Sequence, residues 1–239
     1  MSVKNARVLV IGGTSGIGLA VAGAVADRGG IPIVVSRRQS SVDRALSLLP
    51  ANARGAVADP TDPSALQRLV TEVGAVEHLV YTAGEPLDLV ELAGLTPEVI
   101  NGFFQTRFVG ALSAVRAFAP NLTAGASITL TSGTAGDRPG SGWALAAGVC
   151  GAMNALTRAL AVELAPVRVN AVAPGVVRSP LWSGMGDADR QAMYDQAAQQ
   201  LPLGRVGEVD DVALAYLYCI EQAFGTGTVL TVDGGTVLA

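Results

Sequence analysis

The chain has 239 residues, half of them apolar and 15% charged, with a formal net charge of −4. That balance favours a buried globular core over disorder, and the lack of like-charge runs points away from nucleic acid and anionic membranes. Cys150 and Cys219 fit neither a disulfide framework nor a metal-ligand spacing, so no metal is expected. The segment 1–7 lacks the apolar stretch and cleavage site of a signal peptide. No uninterrupted apolar stretch reads as long enough to cross a bilayer, and a cytoplasmic protein is the expectation. Lys4 is the only lysine, so nearly all positive charge is arginine.

Apolar runs alternate with helix-like segments along the chain. Arg7 to Ile11 is a short apolar run ending in glycines and reads as a buried parallel strand. Gly18 to Arg28 is an Ala-rich helix closed by Gly29-Gly30. Ile31 to Ser36 is the next strand, Ser41 to Leu49 a helix ending at Pro50, and Arg54 to Ala58 a third strand. Asp62-Pro63 starts a helix with an N-cap and Pro at its first position. Glu77 to Tyr81 is a fourth strand. Thr96-Pro97 caps a long helix reaching about Pro120. Ser127 to Thr131 is a fifth strand, Trp143 to Leu164 a long helix, and Val167 to Ala173 a sixth strand. Asp187 to Gln200 and Glu208 to Gln222 read as helices, and Thr228 to Val232 as the last strand. This alternation predicts an α/β, Rossmann-type doubly wound parallel sheet of about seven strands with helices on both faces. One domain over 1–239 is the simplest organisation. Residues 174–207 follow a strand's carboxyl end and have the composition of a substrate lid.

Two features carry chemistry. Gly12-Gly13-Thr14-Ser15-Gly16-Ile17-Gly18 joins the first strand to the first helix. Glycines there permit a tight turn and close approach of backbone to a pyrophosphate, and the helix start offers free N–H groups. Strand before and helix after turn a weak motif into a strong one. At the end of the second strand, where an acidic residue would accept from the ribose 2′-OH of NAD, stands Ser36-Arg37-Arg38. Two guanidinium forks suit a 2′-phosphate, so the cofactor read here is NADP(H).

With these motifs in place, the sequence resembles the short-chain dehydrogenase/reductase family over nearly its whole length. The spacing Gly12-x-x-x-Gly16-x-Gly18 is similar to that family's phosphate loop. Asp59 stands where an acid contacts adenine, and Tyr81-Thr82-Ala83-Gly84 retains the Ala-Gly of the family's Asn-Asn-Ala-Gly turn. Thr131-Ser132 matches the strand end that carries the catalytic serine. Arg168 to Gly175 is similar to the strand leading into the nicotinamide-side Pro-Gly turn, Ser179 falls where a Thr binds cofactor phosphate, and Val232-Asp233-Gly234-Gly235 matches the C-terminal signature. Motif and resemblance together assign cofactor contacts to Gly12, Thr14, Ser15, Gly16, Ile17, Gly18, Ser36, Arg37, Arg38, Asp59, Pro60, Ala83, Gly84, Pro174, Gly175, Val177 and Ser179. The resemblance also implies a homodimer or homotetramer acting on a small-molecule substrate.

The departures from the family bear on catalysis. Registered from Leu156 to Leu164, the family's tyrosine and lysine fall on Ala146 and Cys150; no tyrosine lies between Tyr81 and Tyr194. Arg107 holds the place of an asparagine three residues before Gly110. A buried cation needs a partner. The sequence offers Asp137, just past Ser132, as a pair for Arg107 beside the nicotinamide, or alternatively as a pair for Arg138. Ser132, Arg107 and Asp137 are therefore the candidate catalytic residues. His78 reads as a surface or edge residue and Cys150 as a packed thiol. Tyr194 reads as lid packing, Tyr216 and Tyr218 as packing or interface residues, and Trp143 and Trp182 as core or pocket wall. Three functions remain open: an NADPH-dependent oxidoreductase with an altered proton source, acting on an imine, activated alkene or carbonyl; a non-redox enzyme with NADP as scaffold; and an inactive cofactor-binding regulator or partner subunit. A cleft filled by side chains would favour the last of these, and an ordered pocket with Ser132, Arg107 and Asp137 converging an enzyme.

Overall fold

The computed structural model describes residues 2–87 and 89–239. In chain order its main elements are β1 (Arg7–Ile11), α1 (Gly16–Asp27), β2 (Ile31–Ser36), α2 (Gln39–Leu48), β3 (Arg54–Val57), α3 (Pro63–Val73) and β4 (Val76–Tyr81). There follow α4 (Pro97–Phe104), a π-helical segment Gln105–Gly110, α5 (Ala111–Phe118), β5 (Leu122–Thr131), α6 (Ala144–Glu163), β6 (Arg168–Pro174), β7 (Val177–Arg178), α7 (Asp187–Gln200), β8 (Gly207–Glu208), α8 (Val209–Glu221) and β9 (Val229–Val232). Seven strands form one parallel sheet in the order β3-β2-β1-β4-β5-β6-β9. This is the Rossmann-type architecture expected from the sequence.

The central strands are apolar on both faces because both faces are covered. Leu9, Ile11, Leu79, Ile128 and Leu130 point into a core shared with α3, α5 and α6. Val8, Val10, Val80 and Val172 point the other way, into a core shared with α1 and α8. Helix starts follow local chemistry: the Asp62 side chain accepts from Ser64 N, with Pro63 in the first turn, and the Thr96 side chain accepts from Val99 N, with Pro97 next. Helix α6 is, by length and composition alone, apolar enough to span a bilayer, with a mean hydropathy of 1.4, which the reading of short apolar runs overlooked. It packs against β5 and β6 with Met153, Thr157 and Leu160 buried.

Two polar side chains lock the far half of the sheet. Arg168 is buried at the start of β6, and its Nη1 and Nη2 donate to the carbonyls of Cys219 (2.7 Å) and Ile220 (2.8 Å). It thereby serves the last turn of α8, whose carbonyls lack helical partners. Asn170 donates through Nδ2 to Gly225 O (2.9 Å) and accepts from Thr228 N (3.1 Å), fixing the turn that admits β9.

The structure corrects three expectations. The helix from Thr96 to about Pro120 is interrupted by the π segment. His78 is buried in β4, only 3% exposed, with Nδ1 2.8 Å from Ser127 Oγ. It is neither a surface nor an edge residue, because β4 lies between β1 and β5. The segment 174–207 also carries short strands: β7 and β8 pair in parallel, Val177 with Gly207 and Arg178 with Glu208. Two-residue strands leave no hydrophobic period to read.

Burial lowers the His78 pKa from 6.5 to about 4, with Arg168 adding repulsion. Between those values the unfolded chain binds a proton that the native state refuses, so stability falls as pH drops through this window. The loss is expected to reach roughly 3 kcal/mol by pH 4. Urea titrations at pH 7, 5.5 and 4.5 check this: His78→Asn should show a shallower decline than the wild type, and parallel declines would refute it.

Candidate active site

A cleft of about 1540 Å³ opens along the carboxyl ends of the strands, where open parallel sheets bind ligands. Its floor is set by a close backbone approach. Gly12 has φ +88°, and a Cβ there would stand 2.5 Å from Ala83 N; a Cβ on Gly18 would run into the Gly12 carbonyl oxygen and Thr82 Oγ1. The turn after β1 therefore lies against the turn after β4. Ser15, at the N-cap of α1, makes no side-chain cap bond, which leaves first-turn N–H groups for an anion. Gly12, Thr14, Ser15, Gly16, Ile17 and Gly18 all line the cleft.

At one end the cleft is basic. Ser36, Arg37 and Arg38 line it, as expected, and so do Ser41 and Arg44 from α2, which sequence reasoning missed. Their signal was present: Ser41 and Arg44 fall three and six residues after Arg38, on the helix that Arg38 caps. Pro60 lines the cleft but Asp59 does not. Asp59 Oδ1 accepts from Thr61 N (2.8 Å) and Thr61 Oγ1 (2.7 Å).

At the other end the retained serine sits among unfamiliar neighbours. Ser132 Oγ donates to Asn154 Oδ1 (2.6 Å) and lies 3.2 Å from the Cys150 carbonyl oxygen. Ala146, Val149, Cys150 and Met153 of α6 form the adjoining wall. Burial pushes the Cys150 thiol up, so it is a packed thiol and not an activated nucleophile. Asn154 was missed; it is one helical turn beyond Cys150, on the same face.

Arg107 also faces the cleft, and the π segment puts it there. The buried Tyr81 phenol at the end of β4 donates to Thr106 O at 2.5 Å, a carbonyl inside the wider turn. A Cβ on Gly110 would stand 2.6 Å from the Tyr81 oxygen. A tyrosine at this strand end thus needs both the glycine and the extra residue in the turn. Burial keeps the Tyr81 phenol protonated, its pKa far above the ordinary value.

The expected Arg107–Asp137 pair is not formed. Arg107 Nη2 donates to Glu85 O (2.5 Å), Nη1 lies 3.7 Å from Glu85 Oε2, and the guanidinium stacks 4.2 Å from the centre of the Phe103 ring. Asp137 is exposed and is not part of the cleft wall, whereas Arg138 is; nor do Asp137 and Arg138 form an ion pair among the described residues. The 3-10 turn Thr134–Gly136 and the bond from Asp137 N to Thr134 O (3.0 Å) direct that loop away. Glu85 is a partner that sequence reasoning missed, an acid directly after Ala83-Gly84.

The segment 174–207, read from sequence as a lid, lines the remaining side of the cleft. Leu181, Trp182, Met193, Gln196, Ala197 and Leu201 line the cleft, with Trp143, Leu87 and Phe103 opposite. Trp182 and Tyr194 share a small core with Leu201 and Val206. Trp182 Nε1 donates to Val177 O (3.0 Å), Arg178 lies 4.5 Å over the Tyr194 ring, and Leu87 N donates to Leu181 O (2.7 Å). Tyr194 is buried within the lid, as packing, and Trp143 and Trp182 are pocket wall. Tyr216 is fully buried and Tyr218 is half-exposed. The turn Pro174-Gly175, with Val177 and Ser179, borders the cleft; a Cβ on Gly175 would stand 2.8 Å from Asp233 Cα, so the C-terminal signature packs directly against that turn. No cluster of metal-ligating side chains occurs among the described residues.

All 239 residues match a family model for an SDR-like Rossmann domain. The chain belongs to the short-chain dehydrogenase/reductase family. It is 36% identical to the short-chain dehydrogenase/reductase ATR9 of Stachybotrys chlorohalonatus, over 99% of both chains. The MalC reductase/Diels-Alderase of Malbranchea aurantiaca superposes with a TM-score of 0.91 at 32% identity, covering 99% of this chain and 98% of that one. A short-chain oxidoreductase from Pseudomonas aeruginosa PAO1, bound to NADPH and described as containing an atypical catalytic center, superposes with a TM-score of 0.89 at 29% identity, over 98% and 96% of the two chains.

The closeness of the β1 and β4 turns makes this family member sensitive at Gly18. Gly18→Ala is expected to cost roughly 1–3 kcal/mol through overpacking, read as a fall of several degrees in Tm. An unchanged Tm would mean that the two turns yield freely.

Proposed function

We propose that this protein is an NADP(H)-dependent oxidoreductase that works without the tyrosine–lysine pair of its family. The observation that carries the reading is an open cleft with Arg37 and Arg38 at one end, Ser132, Ala146 and Cys150 at the other, and Arg107 between them, linked to Arg37 through Glu85. The NADPH-bound relative with its atypical centre supports it. The cleft is open and not packed with side chains, which counts against an inactive subunit with a filled site, although Asp137 does not converge there with Ser132 and Arg107.

The residues fit a dinucleotide. The glycine turn and the start of α1 would hold the pyrophosphate. Arg37 and Arg38, with Ser36, Ser41 and Arg44, would hold a 2′-phosphate. Pro174, Gly175, Val177 and Ser179 would border the nicotinamide half, with Ala83 and Gly84 beneath the riboses. Bound there, the cofactor supplies a hydride. The chain then has to orient the substrate and stabilise charge. Ser132 carries a hydroxyl already held by Asn154, and Arg107 carries a permanent cation that is 14% exposed. Arg107 polarises an electron-accepting group without giving up a proton, and Ser132 does so once its single O–H turns from Asn154 to the substrate. Ala146 has no proton to give, and Cys150 is buried in its neutral form.

That division of labour suits an activated alkene, whose developing negative charge is delocalised onto an oxygen, or an imine that arrives protonated as an iminium and so needs no acid at the instant of transfer. A simple ketone is the poorest fit. The apolar wall of Trp143, Trp182, Leu87, Leu181 and Met193 suits a bulky, largely apolar substrate. MalC, a relative at 32% identity, is named for both a reductase and a Diels-Alderase activity. A cytoplasmic location and self-association remain part of the proposal. Exposed Val109, Leu112, Val162 and Phe224 supply apolar surface for contact between copies.

Titration with NADPH and NADH, followed by nicotinamide fluorescence, is the direct test. NADPH is expected to bind at least tenfold tighter than NADH, and Arg37→Ala to remove most of that preference. Binding of neither cofactor would overturn the oxidoreductase reading. With imines, enones and ketones supplied to the NADPH complex, Arg107→Met is expected to reduce turnover on the order of a hundredfold while leaving the NADPH Kd within about twofold. A change in Kd with turnover intact would assign Arg107 to cofactor binding instead.

A further inference from the structure

Arg37 already has an anion. Its Nη1 lies 3.3 Å from Glu85 Oε1. The pair joins the end of β2 to the segment after β4, and β1 lies between those strands. The ion pair therefore spans the glycine turn, across the cleft that the proposed cofactor would occupy. Glu85 is held in place from behind: Thr106 Oγ1 donates to Oε1 (2.7 Å), and Arg107 bonds its carbonyl and approaches Oε2. Arg37 has no such backing and is 54% exposed, against 35% for Glu85. The carboxylate is the fixed member and the guanidinium the mobile one.

We propose that Glu85 tempers the cofactor preference set by Arg37, occupying that guanidinium until a 2′-phosphate displaces it, so that the wild type discriminates less strongly for NADPH than Arg37 alone would allow. The proposal rests on the reading of the cleft as an NADP(H) site. A phosphate monoester carries more charge than a carboxylate and offers three acceptor oxygens to a planar donor fork, so the exchange favours the phosphorylated cofactor. The 2′-hydroxyl of NADH offers no replacement anion, and Arg37 stays with Glu85. The pair is half exposed and its strength correspondingly small, which suits a contact that has to open.

Glu85→Gln tests this cleanly, because glutamine keeps an oxygen for Thr106 and the same length while losing the charge that holds Arg37. Kd values for NADPH and NADH are measured by nicotinamide fluorescence in the wild type, Glu85→Gln, Arg37→Ala and the double variant, with circular dichroism to check folding. The expected result is a three- to fivefold tightening for NADPH in Glu85→Gln, a change below twofold for NADH, and no effect of Glu85→Gln in the Arg37→Ala background. Unchanged or weaker NADPH binding overturns the proposal. So does equal tightening of both cofactors, which would mean only that a negative charge has left an anion-binding cleft. So does an effect that persists without Arg37. Should Glu85→Gln fail to fold, Glu85→Ala carries the same expectations. Loss of both cofactors from the wild type itself would instead sink the NADP(H) reading and this one with it, a result distinct from selective NADPH binding that is indifferent to residue 85.

Discussion

The site depends on how closely two backbone turns approach one another. The chain leaving β1 has to pass so near the chain leaving β4 that neither Gly12 nor Gly18 has room for a methyl group. That contact fixes where α1 begins and at what angle its free N–H groups face the cleft. It also fixes Thr82, Ala83 and Gly84, and through them the position of Glu85. Once these turns touch, the basic end of the cleft and the Ser132 end lie on either side of one narrow floor.

A second constraint follows from one side chain. Tyr81 ends β4 where the family's pattern has a small amide. Its ring is buried, and its hydroxyl needs an acceptor inside the protein. The helix beyond supplies Thr106 O by widening one turn, and Gly110 supplies the room. The same widening turns Arg107 toward the cleft and toward Glu85. The tyrosine at the strand end and the arginine on the helix thus meet at one widened turn, although they stand far apart in the sequence.

This explains what was and was not legible in the sequence. The seven-stranded parallel sheet could be read because its strands are short apolar runs punctuated by glycine and proline, and helices α3 and α4 declare their starts with Asp62-Pro63 and Thr96-Pro97. The glycine turn and the arginines after β2 could be read because local spacing suffices. The partner of Arg107 could not. Asp137 was the nearer acid to Ser132 in sequence, but a short 3-10 turn swings it outward, while Glu85 meets Arg107 because the π segment packs against the end of β4 through Tyr81 and Thr106. The burial of His78 escaped notice for the same reason: a lone histidine in a strand declares its depth only when both neighbouring strands are known.

The parallel pairing of β7 with β8 has a bearing on how such a pocket diversifies. It ties together the two feet of the lid, so everything between Arg178 and Gly207 is a closed loop hung from a fixed clasp, with its own small core of Trp182, Tyr194, Leu201 and Val206. Because the entropy of closing a loop rises only with the logarithm of its length, residues can be added to or removed from this loop at little cost to the sheet. The wall that shapes the substrate can therefore be rebuilt while the floor that holds a dinucleotide stays as it is, and one scaffold can be fitted to many substrates by changes confined to a single detachable panel.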